Sequence, residues 1–378
     1  MQTLSSKKNT AFNLGISLLV FSVGLYGIGM VFFHGQESSY AVSRELPLGL
    51  LLLGYAFFVG ISVGLSTLAA LVHVFKFEVF EYRSKCVALM ALTFLIAAFW
   101  TIFWELGGPF ELQVLRFVRY YINFQIESPI WWMCTFYIIE TPLLILELWL
   151  LFKGGERASF WASIVAFIMG IVAFSTLSMV FAVNAARPLW NTAQFTISFV
   201  LGALLSGASL LTVFMRFRAK EVNQKTLKAL ATYMLFCLIA IAFVHAWTVV
   251  ISSYTAGSYL SENIKMLTNG PLSFNFYFFQ IFVGIVLPIT LLIASKFKNL
   301  TLVAVAGICA IIGVFFTVYD GVVGGQLIRV ESEFLPVIEL VEYTPSLAEI
   351  SIFISSFGVA MLLYEIGYIV LNLGKEDK

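Results

Sequence analysis

Charge is what this chain has least of. Of 378 residues, 11% are charged and 60% are hydrophobic, and the mean hydropathy is +0.95. That balance excludes a soluble globular domain, whose core needs no such apolar excess. Histidine is nearly absent, at three residues: His34, His73 and His245. Three histidines yield one axial pair at most, a poor basis for a cytochrome b, and no Cys-x-x-Cys-His exists for covalent haem attachment. The four cysteines, Cys86, Cys134, Cys237 and Cys309, lie in apolar runs without C-x-x-C spacing. Disulfide, iron–sulfur and other metal-ligating roles are therefore not expected, and buried cysteine behaves as a small hydrophobe. No linker or low-complexity segment interrupts the chain, and a net charge of +1 gives no electrostatic case for a nucleic-acid partner.

What fills the chain instead is a series of apolar runs, each long enough to span the roughly 30 Å hydrocarbon layer as a helix. Ten are expected, near 12–33, 47–75, 86–106, 129–152, 159–182, 191–215, 229–252, 273–295, 299–319 and 346–372. The pattern reads as an all-α integral membrane protein, a single polytopic domain over 1–378. The first run follows Lys7-Lys8 with no small-residue cleavage site before His34-Gly35, so it is expected to be a retained helix and not a signal peptide. Alternation of ten spans puts sixteen of the 22 Lys and Arg residues on one side and six on the other. By the positive-inside rule the richer side is cytoplasmic, giving an N-in, C-in topology in the cell membrane.

A weak internal repeat organises the spans. Aligning Pro142 with Pro288 sets Ile130-Trp131-Trp132-Met133 against Phe276-Tyr277-Phe278-Phe279, and Gly60 near Gly202. Helices 2–5 (47–182) and 6–9 (191–319) are therefore expected to form two four-helix bundles, with helix 1 (12–33) and helix 10 (346–372) peripheral. Gly60-x-x-x-Gly64, and Gly202 with Ser206, are expected to let backbones approach. The outer connections are 107–128, 253–272 and 320–345. In the first, Phe110, Val114, Phe117, Tyr121 and Phe124 recur at helical spacing, as in a helix lying on the membrane surface.

Against this background the carboxylates carry the chemical information. An ionisable side chain within a span costs about 2.5–3.5 kcal/mol on insertion scales, so its presence is a functional hypothesis by default. Glu105 ends the third span, inside Trp104-Glu105-Leu106-Gly107-Gly108-Pro109, and Ser128-Pro129-Ile130-Trp131-Trp132-Met133 opens the fourth. Glu140 and Glu147 are two turns apart, about 10.5 Å along one helix face. With His73 they are candidates for a proton path of Asp/Glu/His type. A titratable ladder ending near aromatic residues suits quinone reduction, in which oxygens need re-protonatable donors and the ring needs flat apolar walls.

These motifs resemble those of the NrfD/PsrC family of quinone-interacting membrane subunits. The Glu105 segment resembles the family's Asp-Leu-Gly-Arg-Pro, and Ser128–Met133 its Ser-Pro-x-x-Trp helix opening. Gly324-Gly325-Gln326, followed by Tyr343-Thr344-Pro345-Ser346-Leu347-Ala348-Glu349, is similar to the C-terminal Tyr-x-Pro-Ser-x-x-Glu of ten-helix members, which include hydrogenase, sulfite-reduction and alternative complex III types. The resemblance implies two four-helix bundles and a quinone (menaquinone or ubiquinone) bound as substrate near the outer face. It also implies no haem, flavin or metal in this chain. The implied partner is a ferredoxin-like iron–sulfur subunit within a membrane oxidoreductase complex. An early-helix histidine and an acidic residue some thirty positions later serve quinone binding in such relatives; His73 and Glu105 are the matching positions. Two departures stand out: Glu105 for Asp, and Gly108 for Arg, which leaves Arg116 or Arg119 to supply that charge.

The expected function is thus a quinone-site anchor subunit of a respiratory oxidoreductase, dependent on its partners for catalysis. Glu105 and His73 are the candidate acid–base groups, Trp104, Arg116 and Tyr137 the further quinone contacts, and Glu140 and Glu147 the proton path. The rival reading is a secondary transporter with a parallel repeat, for which mid-span Gly/Pro breaks flanking a polar site would be needed; few are visible.

Overall fold

The computed structural model describes residues 2–73, 77–80, 83–107, 110–153, 156–218, 222–254, 259–328 and 340–373. Among them the order is α1 (Gln2–His34), α2 (Gln36–Ser39), α3 (Leu50–His73), α4 (Ser84–Glu105), α5 (Phe110–Ile122), α6 (Pro129–Lys153) and α7 (Glu156–Ala182). There follow α8 (Ala193–Arg218), α9 (Gln224–Tyr254), α10 (Tyr259–Thr268), a π-helical segment (Asn275–Val286) running into α11 (Leu287–Ala294), α12 (Leu300–Gly324) and α13 (Leu347–Val370). Ten helices among the described residues are long and apolar enough to cross a membrane. The chain is an all-α, multi-pass membrane protein, as a backbone in hydrocarbon demands, since only internally bonded structure leaves no peptide group unsatisfied.

Helix ends follow local chemistry. The Asn299 side chain accepts from the Thr301 and Leu302 amides at 3.0 and 3.2 Å, starting α12. Ser346 and Glu349 form a reciprocal capping box at the start of α13. Pro129 sits at the first position of α6, where its missing N–H costs nothing. A helix does form within 107–128, as α5; its Val114, Leu115 and Val118 are exposed. It is tied to α6 by the Trp131 indole donating to the Tyr121 carbonyl at 2.9 Å and by stacking of the Tyr121 and Trp131 rings at 5.6 Å.

Helix α3 is the axis of the molecule, buried along nearly its whole length. Packed in a closed ring are α3, α4, α6 and α7, and in a second ring α8, α9, the π segment and α12. The rings meet where α3 crosses α8: a Cβ on Gly64 would lie 2.0 Å from the Ala203 carbonyl oxygen, and one on Gly207 would lie 2.2 Å from Gly64. The close approach expected of Gly64 is real, but its partner is Gly207, while Gly202 faces Val314. Helix α13 packs on α1 and α4, its Ser356 hydroxyl accepting from Thr101 at 2.8 Å. Two elements differ from expectation. Helix α12 continues to Gly324 where the sequence suggested an end near 319. The eighth span begins as a π-helix, which a run of consecutive apolar residues does not betray.

Candidate functional site

The third span ends in a corner built from three distant parts of the chain. Glu105 closes α4, and Gly107 follows at φ +76°, a left-handed turn that glycine adopts without steric cost. The Trp104 carbonyl left free by the helix end accepts from the Gln36 amide at 2.6 Å and the Tyr40 hydroxyl at 2.9 Å. Tyr40 and Trp104 pack with Leu51, Ala348 and Ile352 in a small buried cluster. Within this corner Glu105 Oε2 is buried and has no hydrogen-bond partner. Burial, with Glu105 and then Glu349 close by, pushes the Tyr40 hydroxyl well above the usual tyrosine range.

A second carboxylate clamps the corner. Glu349 is fully buried and accepts from the Tyr343 hydroxyl at 2.7 Å, the Ser346 amide at 2.8 Å and the Ala41 amide at 3.0 Å. Tyr343 in turn accepts from the Leu50 amide at 2.7 Å, and burial beside Glu349 raises its hydroxyl's pKa. Gln326 bonds both main-chain groups of Leu48, donating to its carbonyl at 3.0 Å and accepting from its amide at 3.1 Å. The Tyr343–Glu349 and Gly324–Gln326 motifs thus lock the entry to α3 against the ends of α12 and α13. In the sequence Gln326, Tyr343 and Glu349 stand only as marks of resemblance, and neither they nor Tyr40 read as part of the site. The signal available was the Ser346-x-x-Glu349 capping box.

The other candidates are scattered. Trp104 and Glu105 share the corner. Arg116 is exposed on α5 and donates to the Gly107 carbonyl at 3.1 Å, holding the turn. Tyr137 is buried between the rings of Tyr55 and Phe99, at 6.1 and 6.0 Å, eight residues and about 12 Å into α6. Glu140 is fully buried with both oxygens unpartnered; a Cβ on Gly170 of α7 would lie 2.9 Å from its Oε1. Glu147 accepts from the Ser163 hydroxyl at 2.7 Å.

The pairing of His73 with Glu105 requires correction. Ser62 bonds the Ala91 carbonyl and Gly54 abuts Thr101, so α3 and α4 run antiparallel. His73 ends α3 and Glu105 ends α4, which puts them at opposite ends of a helix pair roughly 33 Å long. The 32-residue spacing spans a chain reversal and separates the two residues; no one quinone head group spans them. The His73 side chain, Gly108, Pro109 and residues 329–339, part of the connection expected over 320–345, lie outside the described residues.

Comparisons with known proteins identify what the chain is similar to. The family described as "Polysulphide reductase, NrfD" matches residues 39–330. A selenate reductase subunit of Mesobacillus selenatarsenatis is 25% identical, covering 91% of this chain and 90% of its own. The Hdr-like menaquinol oxidoreductase integral membrane subunit of Archaeoglobus fulgidus is 24% identical over 86% and 85% of the two chains. A protein from Halobacterium salinarum described as a putative membrane subunit of dimethyl sulfoxide reductase is 23% identical, over 82% and 75%.

Proposed function

Because the chain belongs to the NrfD (polysulphide reductase) family, we propose that it is the quinone-binding membrane subunit of a multi-subunit respiratory oxidoreductase in the cytoplasmic membrane. The observation that carries this reading is the buried, unpartnered Glu105 Oε2 in an aromatic corner at the end of a span. A buried polar atom without a partner is costly, by about 1–3 kcal/mol, and is relieved when a ligand supplies the missing bond. Glu105 would hold a quinone oxygen, and Trp104 and Tyr40 would give the ring its apolar wall. Bound quinone supplies two-electron, two-proton chemistry there.

The chain's own residues handle the protons. Glu105 exchanges one at Oε2, and Glu140 and Glu147, aligned in the ring interior, extend the path toward the opposite side. Arg116 steadies the turn below Glu105. Electrons are exchanged with a ferredoxin-like iron–sulfur subunit, and the chain itself holds no haem, flavin or metal. The basic-residue balance supports termini inside and the Glu105 corner outside. The relatives' names, all of them subunits of reductases or oxidoreductases, support the class. The test is photo-crosslinking with an azido-menaquinone on the intact complex. Labelling is expected in peptides covering 36–50, 100–107 and 343–352; labelling confined to other helices contradicts the assignment.

A further inference from the structure

A second concentration of buried polar groups lies in the other ring of helices. Asp320 is buried four residues before the end of α12. The Asn275 amide donates to its Oδ1 at 3.1 Å and the Gln280 amide to its Oδ2. Thr317, one turn earlier, donates to the Gly313 carbonyl at 2.9 Å and lies 3.5 Å from Gln280 Oε1. His245 of α9 has its Nε2 buried and without a partner. Together with Gln194 and Thr248, these side chains line one cavity.

The π segment is what makes the cluster possible. Asn275 and Gln280 are five residues apart, which on an α-helix of 3.6 residues per turn leaves them about 140° apart. In a π-helix the i→i+5 ring stacks them one above the other, so both amides reach a single carboxylate. Size then decides what the cavity takes. Its volume is about 70 Å³, roughly half that of a ~150 Å³ cavity that admits a benzene ring, yet several times the ~15 Å³ that admits one water. A quinone ring does not fit; a short file of waters does.

We propose that this cavity is a hydrated proton-exchange site, in which Asp320 and His245 pass protons between the second ring of helices and the membrane face where α12 ends. The Asp320 carboxyl gives its proton to a cavity water, a water proton passes to His245 Nε2, and the imidazolium releases one to the aqueous phase. The reverse sequence reloads the carboxylate, and no electron moves. The other charged and titratable groups around the cluster are Arg187, Glu262, Lys265, Tyr319 and Glu349. Arg187 donates to the carbonyls of Gly325, Gln326 and Ile328 just beyond α12, and burial lowers its pKa. On α10, Lys265 is paired with Glu262, Glu349 is held by Tyr343, Ser346 and Ala41, and Tyr319, next to Asp320 on α12, lies in the field of Asp320 first and Glu349 second.

The test is labelling of the intact complex in liposomes with dicyclohexylcarbodiimide, which modifies protonated carboxyls in apolar surroundings, read by peptide mass spectrometry. Asp320 is expected to be modified at about pH 5 and at least about tenfold less at about pH 8, as the carboxyl gives up its proton to the cavity water. His245→Gln is expected to shift the midpoint of that dependence while thermal unfolding stays at the wild-type midpoint. An unmodified Asp320, or equal modification at both ends, overturns the proposal. Protection by sodium ions at constant pH overturns it too, assigning a cation site in its place. Failure here leaves the Glu105 reading intact, since the two sites lie in different rings and the quinone crosslink is read separately.

Discussion

Removing the Glu349 carboxylate isolates the clamp that shapes the Glu105 corner. In Glu349→Ala three donors lose their acceptor at once: the Tyr343 hydroxyl and the Ser346 and Ala41 amides. Each buried, unpaired donor costs about 1–3 kcal/mol, and shared relaxation makes the sum less than additive. A loss on the order of 3–5 kcal/mol is expected, within the range for breaking a buried network. Glu349→Gln keeps one oxygen for the two amides and turns the other acceptor into a donor facing Tyr343, so about 1 kcal/mol is expected. Tyr343→Phe removes a hydroxyl that both donates to Glu349 and accepts from Leu50. The double variant Glu349→Ala/Tyr343→Phe should therefore cost less than the two singles together by at least about 0.5 kcal/mol. The assay is reversible unfolding of the purified chain in mixed micelles, read by tryptophan fluorescence. A Glu349→Ala variant within about 0.5 kcal/mol of wild type, the range of surface substitutions, refutes the reasoning.

Other consequences follow from the same geometry. Tyr40 and Tyr343 keep their protons above the usual tyrosine range, so the folded state holds more protons than the unfolded one above about pH 10. Stability is fully present below that value and falls as pH rises through it; Tyr40→Phe should flatten the alkaline limb of a melting-temperature profile. Gly64→Ala places a Cβ 2.0 Å from the Ala203 carbonyl oxygen and should cost about 1–3 kcal/mol by overpacking, read as a lower unfolding midpoint; an unchanged midpoint contradicts the α3–α8 crossing. A single cysteine at position 222, in a background lacking the four native ones, should react with an impermeant maleimide only from the cytoplasmic side. Reaction from outside reverses the orientation.

Much of the fold is legible in the sequence because hydrocarbon imposes one requirement everywhere: about 20 apolar residues per crossing. The ten spans follow from that, and the helix α5 follows from the helical spacing of its apolar residues. Interactions across distant parts of the chain are not legible. Ala41 meets Glu349 across 308 positions, and only packing of the peripheral helices joins them. Asp320-Gly321 reads as a turn signal, which ends the ninth span too early and hides an intramembrane carboxylate. The π segment is invisible because its apolar residues run almost consecutively, and two polar residues, Asn275 and Gln280, are too few to set a period. His73 shows the opposite failure: its spacing from Glu105 fits a motif, but the antiparallel turn between them puts the two at opposite ends of the helix pair.

The most direct measurement is quinone-linked turnover of the assembled complex carrying Glu105→Gln. The amide keeps the shape and one hydrogen-bonding oxygen at the corner but cannot exchange a proton. Turnover with a soluble quinol should fall about a hundredfold, the lower bound for losing a positioned acid–base group. Partner-subunit retention on gel filtration should match wild type. Turnover near wild type in a fully assembled complex would show that Glu105 only terminates its helix, and would contradict the account.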